Sequence, residues 1–192
     1  MKFLQAEKGK YGYINKQKLF EIIKTIVMFA CAIGLYLIGF LTLKTNKSLW
    51  TIFAVLSVLP AAKCAVSMIM FLRFSSLDKD EYNTVNNASN IPTNYEYVFT
   101  SSEKAYFAKA ISCKDNTIIV LSNKNDKKDL SSELKNHLNL ALEREGLSGY
   151  SLKVYTNTDD YVNRLKEMEI KLSTEGDTSY KRVFNLFNAI SL

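Results

Sequence analysis

Residues Ile22–Arg73 read IIKTIVMFACAIGLYLIGFLTLKTNKSLWTIFAVLSVLPAAKCAVSMIMFLR, two apolar segments around the turn Lys44-Thr45-Asn46-Lys47. No acidic residue occurs between Ile22 and Leu72. The charge-free core Thr25–Leu43 is 19 residues long. At about 1.5 Å per residue, such a helix covers roughly the 30 Å hydrocarbon thickness of a bilayer. It is longer than the apolar core of a cleaved signal peptide, and a second apolar segment follows at once. Apolar residues also continue past Met28-Phe29-Ala30-Cys31, which argues against lipoprotein processing at the cysteine. The second segment, Leu49–Leu72, is interrupted by Pro60 and Lys63, yet Arg73 ends it 23 residues after the interfacial Trp50. The reading is a transmembrane helical hairpin, with a re-entrant second segment as the alternative.

Six lysines precede the first span, two occupy the turn, and Arg73 and Lys79 follow the second span. The positive-inside rule then puts both termini in the cytoplasm and the turn outside, as a two-span protein of the cell membrane. Ala30 and Gly34 in the first helix stand level with Ser57–Ala62 in the second. Ser57, Ala61 and Ala65 recur every four residues, a spacing that lets helices approach closely in lipid. These five are the candidate helix-packing residues.

Lys63 is the one charge inside the membrane and hence the candidate intramembrane functional residue. Counted from the turn it lies about 20 Å deep. Its stem reaches most of the way to the cytoplasmic phosphates by snorkelling. The alternative role is partner contact or transport, and a transport path would need several protomers.

The net charge of +6 raises nucleic acid as a partner, but its distribution removes that suggestion. Residues 1–94 hold 11 Lys/Arg against 5 Asp/Glu, while residues 95–192 hold 14 of each. The basic excess therefore flanks the hairpin, where it signals topology and contact with anionic lipid. The three cysteines, Cys31, Cys64 and Cys113, show no paired spacing, which fits free thiols in a reducing compartment.

The chain divides into a basic cytoplasmic N-terminal segment (1–21), the hairpin (22–73), a polar linker (74–94) and a soluble α+β domain (95–192). In the N-terminal segment Gly9 and Gly12 predict a turn over Lys8–Tyr13, and the first helix starts near Gln17. The linker is rich in Asn, Asp and Ser, with room for a short helix near Asp80–Val85. In the domain, strands are predicted over Tyr95–Thr100, Tyr106–Ser112 and Thr117–Ser122, the last two joined by the loop Cys113-Lys114-Asp115-Asn116. A helix capped by Asp129 or Ser131 carries Leu130, Leu134, Leu138, Ala141 and Leu142 on one face and stops at Gly146. A strand over Ser151–Thr156, a helix capped by Thr158, and a last helix with Tyr180, Val183, Phe184, Phe187 and Ile190 complete the order β-β-β-α-β-α-α. The fold class is thus an N-terminal two-helix transmembrane hairpin followed by a small cytoplasmic α+β domain.

Chemistry-bearing patterns are absent from this sequence. His137, the sole histidine, has no serine, cysteine or carboxylate pattern around it. Gly146-Leu147-Ser148-Gly149 closes a helix instead of opening one, so no phosphate loop forms there. Asp159-Asp160 suits a helix dipole, and Lys127-Lys128 a solvated loop. No catalytic, cofactor-binding or metal-ligating residue is assigned, and no cofactor is expected.

The succession of three strands, a helix and a fourth strand resembles the restriction-endonuclease-like core. That resemblance implies an acid near the second strand, for which Asp115 stands, and an acid-x-Lys pair on the third. Here Ser122-Asn123-Lys124 offers serine in place of the second acid, so phosphodiester chemistry would lack a ligand. As a whole, Met1–Ile14 (MKFLQAEKGKYGYI), Leu59–Lys63, Met68–Arg73 and Ala189–Leu192 resemble small two-span membrane proteins of Gram-positive bacteria. The likeness implies topology and carries over no functional residue. The functional expectation is a membrane-anchored interaction or regulatory module, partnered by the lipid bilayer and by another protein or a second copy, with no nucleic acid. The alternatives are a degenerate nuclease-like enzyme domain and a small transporter or channel subunit.

Overall fold

The computed structural model describes residues 7–43, 49–101, 104–123, 128–170 and 179–192. The turn Lys44–Lys47 and Lys124 lie outside them. The chain forms two compact units, one of residues 1–6 and Ile14–Ser75, the other of Glu7–Tyr13 and Ser76–Leu192.

The first unit holds α1 (Tyr13–Leu43) and α2 (Leu49–Leu72), two helices long and apolar enough to cross a membrane. In the apolar stretch of each, only 17% of the residues are buried. Ile26, Ile33, Leu37, Ile38 and Leu41 of α1 are exposed, as are Phe53, Val55, Leu56, Leu59 and Val66 of α2. Beyond Tyr13 and Ile14 at the start of α1, the buried positions form one stripe per helix: Glu21, Thr25, Ala32 and Gly39 on α1, and Ala54, Ala61, Cys64 and Phe71 on α2. Their spacings of three, four and seven are those of a helix–helix seam. Pro60 lies inside α2 without breaking it. α1 starts at Tyr13, four residues earlier than expected, because the turn at Lys8–Gly12 leads directly into it.

The second unit contains α3 (Lys79–Asn86), β1 (Thr93–Thr100), β2 (Ala105–Lys114), β3 (Thr117–Ser122), α4 (Lys128–Arg144), β4 (Ser151–Tyr155), α5 (Thr158–Ile170) and α6 (Ser179–Ile190). It is an α+β domain around a four-stranded mixed sheet of order β1-β2-β3-β4. β1, β2 and β3 form an antiparallel meander, and β4 joins β3 in parallel after the α4 crossover. The element order is therefore α-β-β-β-α-β-α-α, which corrects the expected β-β-β-α-β-α-α. The element added to that order, α3, lies where the linker left room for a short helix near Asp80–Val85; it is polar, with one buried residue, Val85, and a cap from the Asp78 side chain to the Lys79 amide. Its two apolar positions, Tyr82 and Val85, are too few to establish a period.

Helices cover both faces of the sheet. α4 and α6 enclose a core of Phe99, Ile118, Val120, Leu134, Leu138, Leu142, Val183 and Phe187. On the other face, α3 and α5 enclose Leu77, Val85, Ile91, Tyr95, Ile119, Leu121, Tyr161 and Leu165. The segment 74–94, read as polar linker, thus contributes Leu77, Val85 and Ile91 to this second core. Double coverage explains why Ile118–Ser122 is buried without interruption. Between the layers, Ser112 Oγ links the Tyr161 hydroxyl at 2.6 Å to Thr93 Oγ1 at 2.6 Å. Burial drives the Tyr161 phenol well above the ordinary tyrosine range.

Two capping expectations are corrected. α4 begins at Lys128, so Asp129 and Ser131 lie inside the helix. At α5, Asn157 Oδ1 accepts from the Asp159 amide at 3.2 Å, while Thr158 Oγ1 turns away to Glu81. Asn and Thr are both competent caps, and the Glu81 carboxylate decides which residue is used.

Leu138 is fully buried and Leu140, two residues on, is 53% exposed. Leu138→Ala is expected to cost about 2–5 kcal/mol in denaturant unfolding, and Leu140→Ala within about 0.5 kcal/mol. Equal costs would contradict the described orientation of α4.

Candidate functional site

The densest polar arrangement lies on β1, where Asn94-Tyr95-Glu96-Tyr97 meets chain from before α1 and from after α2. Glu96 has φ +57 in the middle of the strand. Pairing passes from Tyr95 opposite Ala110 to Tyr97 opposite Ala108, with Glu96 and Lys109 left out of the register. The strand changes parity at that point. Tyr95 faces the α3/α5 core and Tyr97 the α4/α6 core, although residues two apart on a regular strand share a face. Ala108 and Ala110 change faces in the same way on β2.

The break turns the Glu96 side chain toward residues 76–77. Its carboxylate is buried, accepts the Leu77 amide at 3.0 Å, and takes a short hydrogen bond from the Ser76 hydroxyl. Opposite, Lys109 reaches Glu81 of α3 at 2.7 Å, and Thr158 donates to the same carboxylate at 3.1 Å. The chain just after α2 is thereby fixed to β1, and α3 to β2 and α5.

The chain just before α1 is fixed to the free edge of β1. The Tyr95 amide donates to the Gly9 carbonyl at 2.9 Å. Gly9 has φ +80, and a Cβ there would stand 2.9 Å from Asn94 Nδ2 and 3.0 Å from the Tyr97 hydroxyl. Only glycine fits both constraints. Lys8 Nζ donates to the Ser191 carbonyl at 2.6 Å and to the Asn188 carbonyl at 3.2 Å, at the electronegative end of α6. Burial pulls the Lys8 ammonium below the usual lysine range. The Tyr13 hydroxyl donates to the Leu192 carbonyl at 2.8 Å. Tyr11 stacks on Tyr82 of α3 with centroids 4.2 Å apart, and Tyr82 meets Tyr95 edge-on at 4.9 Å. Tyr97 is pushed up to about 12 by burial, against the pull of its hydrogen bond from Asn94. Tyr95 is pushed up to about 12 by burial and by Tyr82. Both phenols stay neutral over the physiological range.

Two hollows lie elsewhere on the domain. A cavity of about 430 Å³ between α4 and α6 is lined by His137, Leu140, Ala141, Arg144, Leu186 and Ile190, with Thr100 and Glu145 beside them. His137 is half-buried there, its ring 5.8 Å from that of Tyr106, and burial followed by Arg144 lowers its basicity. It makes no hydrogen bond among the described residues, which leaves it without the partner that acid–base work requires. A second hollow of about 250 Å³ lies between α4 and β4.

The remaining sequence candidates stand apart from these features. Lys63 is exposed on α2, beside the buried Ala61 and Cys64. Ser57 and Ala65 are half-buried, Gly34 is half-buried, and Ala30 is exposed. Asp115 occupies the β2–β3 turn with φ +51, and Ser122 ends β3. At about 3.3 Å per residue the length of β3 separates them. They do not converge on a common ion. Among the described residues, no group of three or more His, Cys, Asp or Glu side chains is placed to hold a metal.

Sequence reasoning missed the clamp. Gly9 read as a turn and Glu96 as an ordinary strand residue, and the only available signal was a charged residue inside an aromatic, β-branched run. Compared with known proteins, the chain matches no family model, no curated protein and no solved structure.

The clamp makes a direct prediction for hydrogen exchange of the full-length protein. Gly9→Ala is expected to speed exchange of the Tyr95 amide, and Glu96→Ala that of the Leu77 amide, each by about tenfold or more. Unchanged protection of both amides would show that neither contact holds.

Proposed function

We propose that this protein is a two-span membrane protein of the cell membrane, acting as an anchored interaction module with its α+β domain and both ends of the helical pair on the cytoplasmic side. The observation that carries the reading is the clamp on β1. Glu7–Tyr13, which leads into α1, and Ser76–Leu77, after α2, belong to one folded unit, and Gly9 and Leu77 bond to adjacent residues of one strand. A folded domain occupies one side of a bilayer, so the chain between those points crosses an even number of times. If α1 crosses, α2 returns. This supports two complete spans over a re-entrant second segment, despite Pro60 and Lys63.

Lipid as the surrounding medium is supported by the exposed Ile, Leu, Val and Phe side chains around both helices. The small buried residues Ala32, Gly39, Ala54 and Ala61 suit contact between helices in lipid. The cytoplasmic side follows from the lysine balance. Interaction, as opposed to catalysis, is supported by the α4–α6 hollow, whose apolar floor of Leu140, Leu186 and Ile190 and charged rim of Arg144 and Glu145 suit a protein surface. The partner is another protein or a second copy of the chain.

Topology is tested with single cysteines in a background lacking Cys31, Cys64 and Cys113, using an impermeant maleimide on intact cells. Asn46→Cys is expected to label from outside, and Lys10→Cys and Asn116→Cys only after lysis. Labelling of Lys10→Cys and Asn116→Cys from opposite sides would refute a shared domain. Interaction is tested by cross-linking in the membrane followed by purification in mild detergent. A homo-oligomer or a defined heteromeric species is expected, reduced several-fold by Leu140→Asp. A lone monomer from the wild-type protein would overturn the interaction role.

A further inference from the structure

We propose that the hollow between α4 and β4 binds a phosphate-type anion. It is lined by Ser131, Ser132 and Lys135 of α4 and by Lys153, Val154 and Tyr155 of β4, and measures about 250 Å³. Four observations converge there. The first is location. β3 and β4 are the parallel pair of the sheet, and residues 153–155 form the carboxyl-terminal half of β4. Crevices at the carboxyl ends of parallel strands are where open α/β layers receive ligands, because the crossover helix begins beside them.

The second is charge. Lys135 and Lys153 both face the hollow, and no described carboxylate lies within ion-pair distance of either. Lys8 is engaged with α6, Lys104 with Glu133, Lys109 with Glu81, and Lys114 with the carbonyl of Met168, while Lys79, Lys166 and Lys181 share the lack of a described carboxylate but line neither of the two hollows. An anion in the hollow would meet both ammonium groups at once.

The third is an orphaned hydroxyl. Ser131 Oγ is buried and has no hydrogen-bond partner, a state that native proteins seldom leave without a ligand or water. The fourth is the helix itself. Ser131, Ser132 and Lys135 lie in the amino-terminal half of the 17-residue α4, whose dipole favours negative charge. A volume of about 250 Å³ takes a phosphate or diphosphate group and is below the usual size of sites for larger ligands. The same chemistry is presented by a soluble phosphate ester and by a phospholipid headgroup.

The test uses the full-length protein in nanodiscs of phosphatidylcholine, with sodium pyrophosphate as probe and sodium chloride at equal ionic strength as control. A hundredfold excess over Kd is expected to raise Tm by about 5–10 °C. Lys135→Gln with Lys153→Gln should abolish the rise, and Ser131→Ala should reduce it. Both lysines are exposed, so the double variant should match wild-type Tm without pyrophosphate. Repeating the titration in nanodiscs containing phosphatidylglycerol separates the sources. Loss of the pyrophosphate response there identifies the lipid headgroup as occupant, and its persistence identifies a soluble phosphate. No rise beyond the chloride control, or an equal rise in the double variant, would overturn the proposal.

Discussion

The left-handed backbone of Glu96 is the constraint on which the rest of the domain depends. A non-glycine residue at φ +57 costs about 1–3 kcal/mol, and a buried carboxylate adds a desolvation cost. Both are offset locally by hydrogen bonds from Ser76 and Leu77 and by what the break does to the strand. Tyr95 and Tyr97 fall on opposite faces, so each helical layer receives an aromatic anchor from β1. Lys109 on β2 is released from the register to pair with Glu81, which also ties down the start of α5. One backbone torsion thus organises α3, α5 and the segment after α2.

The outer edge of β1 shows how the same strand is protected. An unpaired edge is a template for unwanted pairing. Here Gly9 bridges to Tyr95 and Ser191 to Phe99, so segments from opposite ends of the chain cover the edge. Lys8 and Tyr13 reach Ser191 and Leu192 across 183 and 179 residues, and such contacts are slow to form, because loop closure precedes any gain from them. Their presence ties residues 8–13 into the fold of the domain.

α4 serves two surfaces of opposite chemistry. His137, Leu140 and Arg144 line an apolar hollow against α6, while Ser131, Ser132 and Lys135 line a basic one against β4. The core stripe of Leu134, Leu138 and Leu142 lies between them and fixes both in orientation.

Much of the architecture is written locally. The two apolar segments, the β2–β3 turn at Asp115-Asn116, the amphipathic α4 and α6 and the crossover to β4 all follow from composition and period, which need only neighbouring residues. Of the expected small-residue stripe, Ala61 is buried and Ser57 and Ala65 are half-buried, while Ala54 and Cys64 are buried beside them. The candidate site was not legible. The short helix near Asp80–Val85 was legible but its place in the domain core was not, because only Tyr82 and Val85 are apolar there, and the Glu96 break is selected by partners that lie 19 and 20 residues away. Gly9 needs its missing Cβ only because Asn94 and Tyr97 stand where that atom would be. The sequence by itself determined two helices fit for a membrane and a neutral α+β domain. Tertiary structure decided that one strand holds both Gly9 and the Ser76-Leu77 segment, since that depends on which distant groups meet and no local pattern encodes it.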